Sequence, residues 1–261
     1  MTIARHELRL GRKSFLIWLC SLSLLLGICI FLFPEMKKEM DTISEMFSSM
    51  GAFTAAFGMD KLNFGTLVGY YAIECGNVLG LGGAFFASLC AVSILSKEEK
   101  ERTAEFLLTH PLGRFRIITE KLLAVLIQVI LMNAAVFLVS IGSMAAIGES
   151  IPWKEVILLH LAYLLMQFEL AGICFGVSAF IRRSSLGIGL GIAILMYFLN
   201  IMANITDSVS FLKYITPFGY CDGSAVVSGL SLDAVRICIG MAIGLVGVCA
   251  AYIEYGRKDI H

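Results

Sequence analysis

Long apolar runs alternate with short polar breaks along this chain, and six of the runs are long enough to be transmembrane helices. They cover roughly residues 15–33, 67–95, 121–146, 155–181, 185–204 and 233–254. A helix needs ~20 apolar residues to cross a bilayer. These runs lack the strict alternation of barrel strands, and only helices or closed barrels satisfy their backbone polar groups in lipid. The pattern predicts an all-α, polytopic membrane protein with six transmembrane helices, forming a single transmembrane domain over 1–261. The second run exceeds a minimal span, which predicts tilt or an interfacial first turn. The first resembles the apolar region of a signal peptide but is too long. Pro34 and Glu35 follow it in place of a small-residue cleavage pattern, so it is expected to stay attached.

Composition agrees. Of 261 residues, 58% are hydrophobic and 15% charged, whereas soluble domains carry roughly 25% charged residues. The net charge is zero, which gives no reason to expect a nucleic-acid partner. Fourteen of the 20 Lys and Arg residues fall on one side of the predicted spans, among them Arg5, Arg9, Arg12, Lys13, Lys97, Lys100, Arg182 and Arg183. The positive-inside rule then places both termini and the 96–120 loop in the cytoplasm. Short loops and small size point to a bacterial plasma membrane. Of the eight cysteines only Cys221 falls in a predicted outer loop, there is no CxxC, and the four histidines are scattered. Neither a disulfide nor a metal site is expected.

One polar break stands out. Residues 96–121 read SKEEKERTAEFLLTHPLGRFRIITEK, a charged island between apolar runs. Glu98 and Arg102 stand at the favourable i,i+4 spacing. Thr103 to Leu108 predicts a short helix with an apolar edge of Ala104, Leu107 and Leu108, ended by Pro111 and Gly113. The residues alone leave two readings open: a solvated connector that holds topology, or a docking helix whose apolar edge fits a partner's groove.

The island resembles the cytoplasmic loop of ABC-2 type transporter permeases. In that family an acidic stretch leads into a Thr, a Glu, a Leu pair, a Pro and an Arg, and a Lys opens the third span. Here those positions are Glu101, Thr103, Glu105, Leu107, Leu108, Pro111, Arg114 and Lys121. Arg102 stands where the family commonly has Gly, and Thr109 and His110 stand where a Ser is frequent. Three further segments are similar in the same order. HELRLGRKSFLIWL resembles the family's amphipathic elbow, here residues 1–14 with Glu7, Arg9 and Arg12. GICFGVSAFIRRSSLGIGLG resembles the junction of the fourth and fifth spans, and LKYITPFGYCDGSAVVSG, around Pro217 and Tyr220, the outer segment before the last span.

The resemblance implies an N-terminal interfacial elbow helix and a cytoplasmic coupling helix. It implies a membrane-spanning permease subunit that forms the substrate pathway, in an exporter, driven by ATP and Mg on a separate ATPase subunit. A second permease copy or a homologous permease, and membrane lipid, complete the expected partners. The chain itself is expected to bind no cofactor and to catalyse nothing. It contains no Gly-Lys dipeptide and so no P-loop. Glu98, Glu101, Arg102, Thr103, Glu105, Leu107, Leu108, Pro111 and Arg114 would couple to the ATPase. Two other classes compete. A secondary transporter or channel would favour broken midplane helices or repeated halves. An intramembrane protease would use paired glutamates, but Glu98 and Glu99 sit in a loop and no two histidines share a run.

A few further residues merit attention. Glu169 lies near the middle of the fourth run, where a carboxylate is costly and functional by default. It either lines the pathway or bonds to a neighbour such as Gln128 or Asn133. Glu74, nearer the outer end of the second run, is read as solvated at the interface. Gly172/Gly176, Gly187/Gly191 and Gly240/Gly244 predict close helix packing. Met36, Met40, Ile43, Met46, Phe47 and Met50 recur at helical spacing and predict an amphipathic helix in the outer loop 34–64. Asp207 and Asp222 suggest no chemistry.

Overall fold

The structure is a computed structural model that describes residues 2–39, 51, 54, 62–97, 113–181 and 185–257. Among them there are eight α-helices: α1 (Thr2–Lys38), α2 (Leu67–Cys75), α3 (Gly83–Val92), α4 (Arg114–Ala146), α5 (Trp153–Phe180), α6 (Leu186–Ile205), α7 (Gly223–Gly229) and α8 (Ala234–Arg257). Six stretches are long and apolar enough to cross a membrane: α1, α2 with α3 (Leu67–Val92), α4, α5, α6 and α8. In chain order these are spans 1 to 6.

Span 1 departs from expectation. The elbow is no separate element; residues 2–38 form one helix of 37 residues. At 1.5 Å per residue that is about 55 Å, well beyond the ~30 Å hydrocarbon layer. The reason lies in what the first turns touch. Ile3, Ala4 and Glu7 are buried, and α1 packs along α4. Gly11 permits the approach, since a Cβ there would stand 3.3 Å from Gln128 Oε1. Pro34 does not stop the helix, which continues to Lys38.

Span 2 is interrupted. Thr66 caps α2 by accepting a hydrogen bond from Gly69 N. The backbone then widens into a π-helical stretch over Gly76–Gly82 before α3 resumes the ordinary helix. Such wide turns often mark functional positions. This one is rich in glycine for a packing reason: a Cβ on Gly80 would stand 3.1 Å from the Tyr163 ring of span 4.

Spans 2 and 4 form the centre, with 61% of their most apolar window buried against 17% for spans 5 and 6. The closest crossing joins spans 4 and 6. A Cβ on Gly172 would stand 2.5 Å from Gly244 O, and one on Gly176 2.6 Å from Gly247 O. Small residues there let the two backbones touch, as expected for Gly172/Gly176 and Gly240/Gly244. Gly187 and Gly191 differ: a Cβ on Gly191 meets nothing, and one on Gly187 only Ser185 nearby in its own chain segment. That pair packs against no other helix within the described residues.

Between spans 5 and 6 the chain folds back into the bundle. Thr216 donates to Met196 O at 2.7 Å, Cys221 Sγ to Ala162 O at 3.2 Å, and Arg236 to Gly219 O at 3.1 Å. Pro217, Phe218, Gly219 and Tyr220 are all buried. Irregular backbone is tolerated among spans only when protein encloses it. Asp222 has a structural use, accepting from Ser224 N at 2.9 Å to cap α7. Of the helix expected from Met36 to Met50, Met36 belongs to the last turn of α1, and Met40 to Met50, like the Asp207 side chain, lie outside the described residues.

Candidate functional site

A buried ionic cluster occupies the end of the bundle where residues 2 and 257 lie, and it is assembled from three helix ends. Glu7 of α1 is 3% exposed, and Lys121 of α4 is completely buried. Lys121 Nζ donates to Glu7 Oε1 at 3.3 Å and to Ile94 O, just past α3, at 2.6 Å. Lys97 pairs with the other Glu7 oxygen. One carboxylate thus faces two ammonium groups, which solves the problem of burying charge away from water.

The neighbouring Glu120 holds the start of α1. Its Oε2 accepts from Ile3 N at 2.8 Å and Ala4 N at 3.2 Å. A carboxylate placed there satisfies helix donors that have no partner in their own helix and complements the positive end of the helix dipole. Arg116 Nε donates to Glu120 Oε1 at 3.1 Å. On the other side Arg114 donates to Gly256 O at 3.2 Å, near the end of α8, and the Phe115 and Tyr252 rings stack at 6.2 Å. Lys97 and Arg114 are the residues nearest the 98–112 segment in this set. The chain on each side of that segment is therefore tied to spans 1, 3 and 6.

Of the expected site residues, Glu7 sits at the centre of this cluster, while Arg9 and Arg12 are exposed. Glu98, Glu101, Arg102, Thr103, Glu105, Leu107, Leu108 and Pro111 lie outside the described residues. Sequence reasoning missed Lys97, Glu120 and Lys121 as partners of Glu7 and α1. Their signal is faint: polar residues at the ends of apolar runs, separated from Glu7 by 90 residues or more.

A second set of polar groups lies inside the bundle. Tyr220 donates to Glu169 Oε2 at 2.8 Å, and Glu169 is 1% exposed. The expected partners Gln128 and Asn133 are occupied elsewhere. Asn133 donates to Gln167 Oε1 at 2.7 Å, and Gln128 accepts from Cys90. Glu169 faces span 6 and the folded-back segment because Gly240 leaves room; a Cβ on Gly240 would collide with the carboxyl group. Burial pushes the Tyr220 phenol up from its ordinary value, so it remains a donor. Another contact joins spans 2 and 4, where Tyr71 Oη and His160 Nε2 are 2.7 Å apart.

Six apolar spans, with charge gathered at helix ends, define a multi-pass, all-helical membrane protein. The family model described as ABC-2 family transporter protein matches residues 1–260, and the chain belongs to that family. It is thus a permease of ABC transporter type, a membrane transport subunit. Comparison with curated proteins finds no match.

Proposed function

We propose that this chain forms the substrate pathway of an ABC exporter and is driven by a separate ATPase subunit. The observation that carries this reading is the anchoring on either side of residues 98–112. Lys97 and Lys121 share Glu7 of α1, Glu120 caps α1, and Arg114 reaches α8. A displacement of the 98–112 segment would reach spans 1, 2, 3 and 6 together, as a rigid-body movement of packed helices. ATP and Mg belong to the partner in this reading. Both termini and the ionic cluster face the cytoplasm of a bacterial cell, and a second permease copy or a homologue stands beside spans 5 and 1. The scarce burial of span 5 and the unopposed Gly187 and Gly191 support that pairing.

The test is co-purification. A tagged chain extracted from native membranes should carry vanadate-sensitive ATP hydrolysis. Replacing Leu107 and Leu108 with Asp should remove that activity while leaving membrane insertion intact, because the apolar edge is what docks. Undiminished ATPase activity with the double variant would sink the docking claim.

A further inference from the structure

The first turns of span 1 carry a basic face. Arg5, Arg9, Arg12 and Lys13 are all exposed. At 3.6 residues per turn they fall within about 100° of one another, on the side of α1 opposite Ile3, Ala4, Glu7 and Gly11. Glu7 is the only carboxylate before Glu35, and it is buried against Lys97 and Lys121. Among the described residues none of the four cations pairs with a carboxylate. We propose that this face binds the phosphate groups of phospholipids whose headgroup is net negative. Arginine suits that partner, since each guanidinium offers a fork of donors to two phosphate oxygens.

Position along the helix selects lipid over a protein partner. Leu16, Cys20 and Leu24 continue the row of Arg12 at four-residue spacing and are exposed as well. A row that passes from cations to hydrocarbon matches the passage from headgroup to acyl chain. Measured from Ser14, the last polar residue ahead of Leu16, Lys13, Arg12 and Arg9 stand about 2, 3 and 8 Å higher at 1.5 Å per residue. The headgroup layer is roughly 5–8 Å deep on each side of the hydrocarbon, so these three lie within it. Arg5 stands about 6 Å beyond, inside the ~10 Å over which salt leaves attraction largely unscreened. A second copy meeting this face about a two-fold axis would set cation against cation, so the copy proposed above meets another side of span 1. The inference goes beyond the ATPase-driven reading, since lipid binding is a property of this chain alone.

The test is quenching of a single tryptophan by brominated phospholipids in vesicles carrying the full chain. Leu16→Trp with Trp18→Phe and Trp153→Phe puts the reporter one turn below Arg12. Trp18→Phe alone leaves Trp153, 53% exposed, as a reporter at the other end of the bundle. At the Leu16 position brominated phosphatidylglycerol should be favoured over brominated phosphatidylcholine by about fivefold or more, the scale of basic residues near a headgroup. At Trp153 the two lipids should be equal within about twofold. Changing Arg5, Arg9, Arg12 and Lys13 together to Gln should remove the preference at Leu16, and so should about 1 M NaCl on the unaltered face. No preference at Leu16, an equal preference at Trp153, or a preference that survives neutralisation or salt would each overturn the proposal. If the neutralised chain does not insert, the salt series decides alone.

Discussion

Lys121 has no exposed surface, and its ammonium group lies between Glu7 and a main-chain carbonyl at the end of span 2. A charge so placed stabilises only while its partner is present. Lys121→Met should leave Glu7 with Lys97 alone, and Glu7→Gln should take the facing negative charge away from Lys121. Removing one member of a buried pair costs about 3–5 kcal/mol. Both single variants should therefore unfold far more easily in a denaturant titration, Glu7→Gln more than Lys121→Met because the lysine left behind is the more deeply buried. The double variant should lose less than the sum, and strict additivity would show that the two groups do not interact. Glu7 can be picked out from sequence as a carboxylate ahead of an apolar run. Its partner cannot, since 114 residues separate Glu7 from Lys121 and only the packing of α1 along α4 joins them. The same holds for Glu169: its cost in lipid is evident from position, but Tyr220 becomes its partner only because the intervening chain folds back.

At the scale of elements, the glycines divide by what lies opposite. Gly176 meets the Gly247 backbone, so Gly176→Ala should push spans 4 and 6 apart and cost about 1–3 kcal/mol, the range for overfilling a packed site. Gly191→Ala meets nothing and should leave the melting temperature of the separated chain unchanged. Thermal unfolding of the two variants side by side checks both, and an equal loss would contradict the packing described. Spacing in the sequence announces these glycines but does not say which pairs touch, because that depends on how helices are arranged. Each of the six apolar runs falls on a helix long and apolar enough to cross a membrane, since length and hydropathy are local properties. The wide turn at Gly76–Gly82 is invisible for the opposite reason: GNVLGLG is as apolar and glycine-rich as ordinary helix elsewhere in the chain. That the N-terminal stretch runs straight on into span 1 is not legible, because it depends on Ile3, Ala4 and Glu7 packing against other parts of the fold.

For the whole molecule, the proposed orientation makes an accessibility pattern. In a cysteine-free background, single cysteines at Ser49 and Ser208 should react with impermeant thiol reagents on intact cells. One at Lys100 should react only after permeabilisation, and reaction there from outside would reverse the orientation drawn from the basic residues. A variant that keeps Cys221 as its single cysteine should stay silent before and after permeabilisation, since that residue is 4% exposed with its thiol on Ala162 O. The burial of Thr216 to Cys221 reaches further than labelling. A loop between two spans is the usual choice of peptide immunogen for a membrane protein, and this stretch has the length and the aromatic content that such a choice favours. Antibodies raised against the peptide 216–221 should stain the denatured chain on a blot and pass over the native protein in intact membranes.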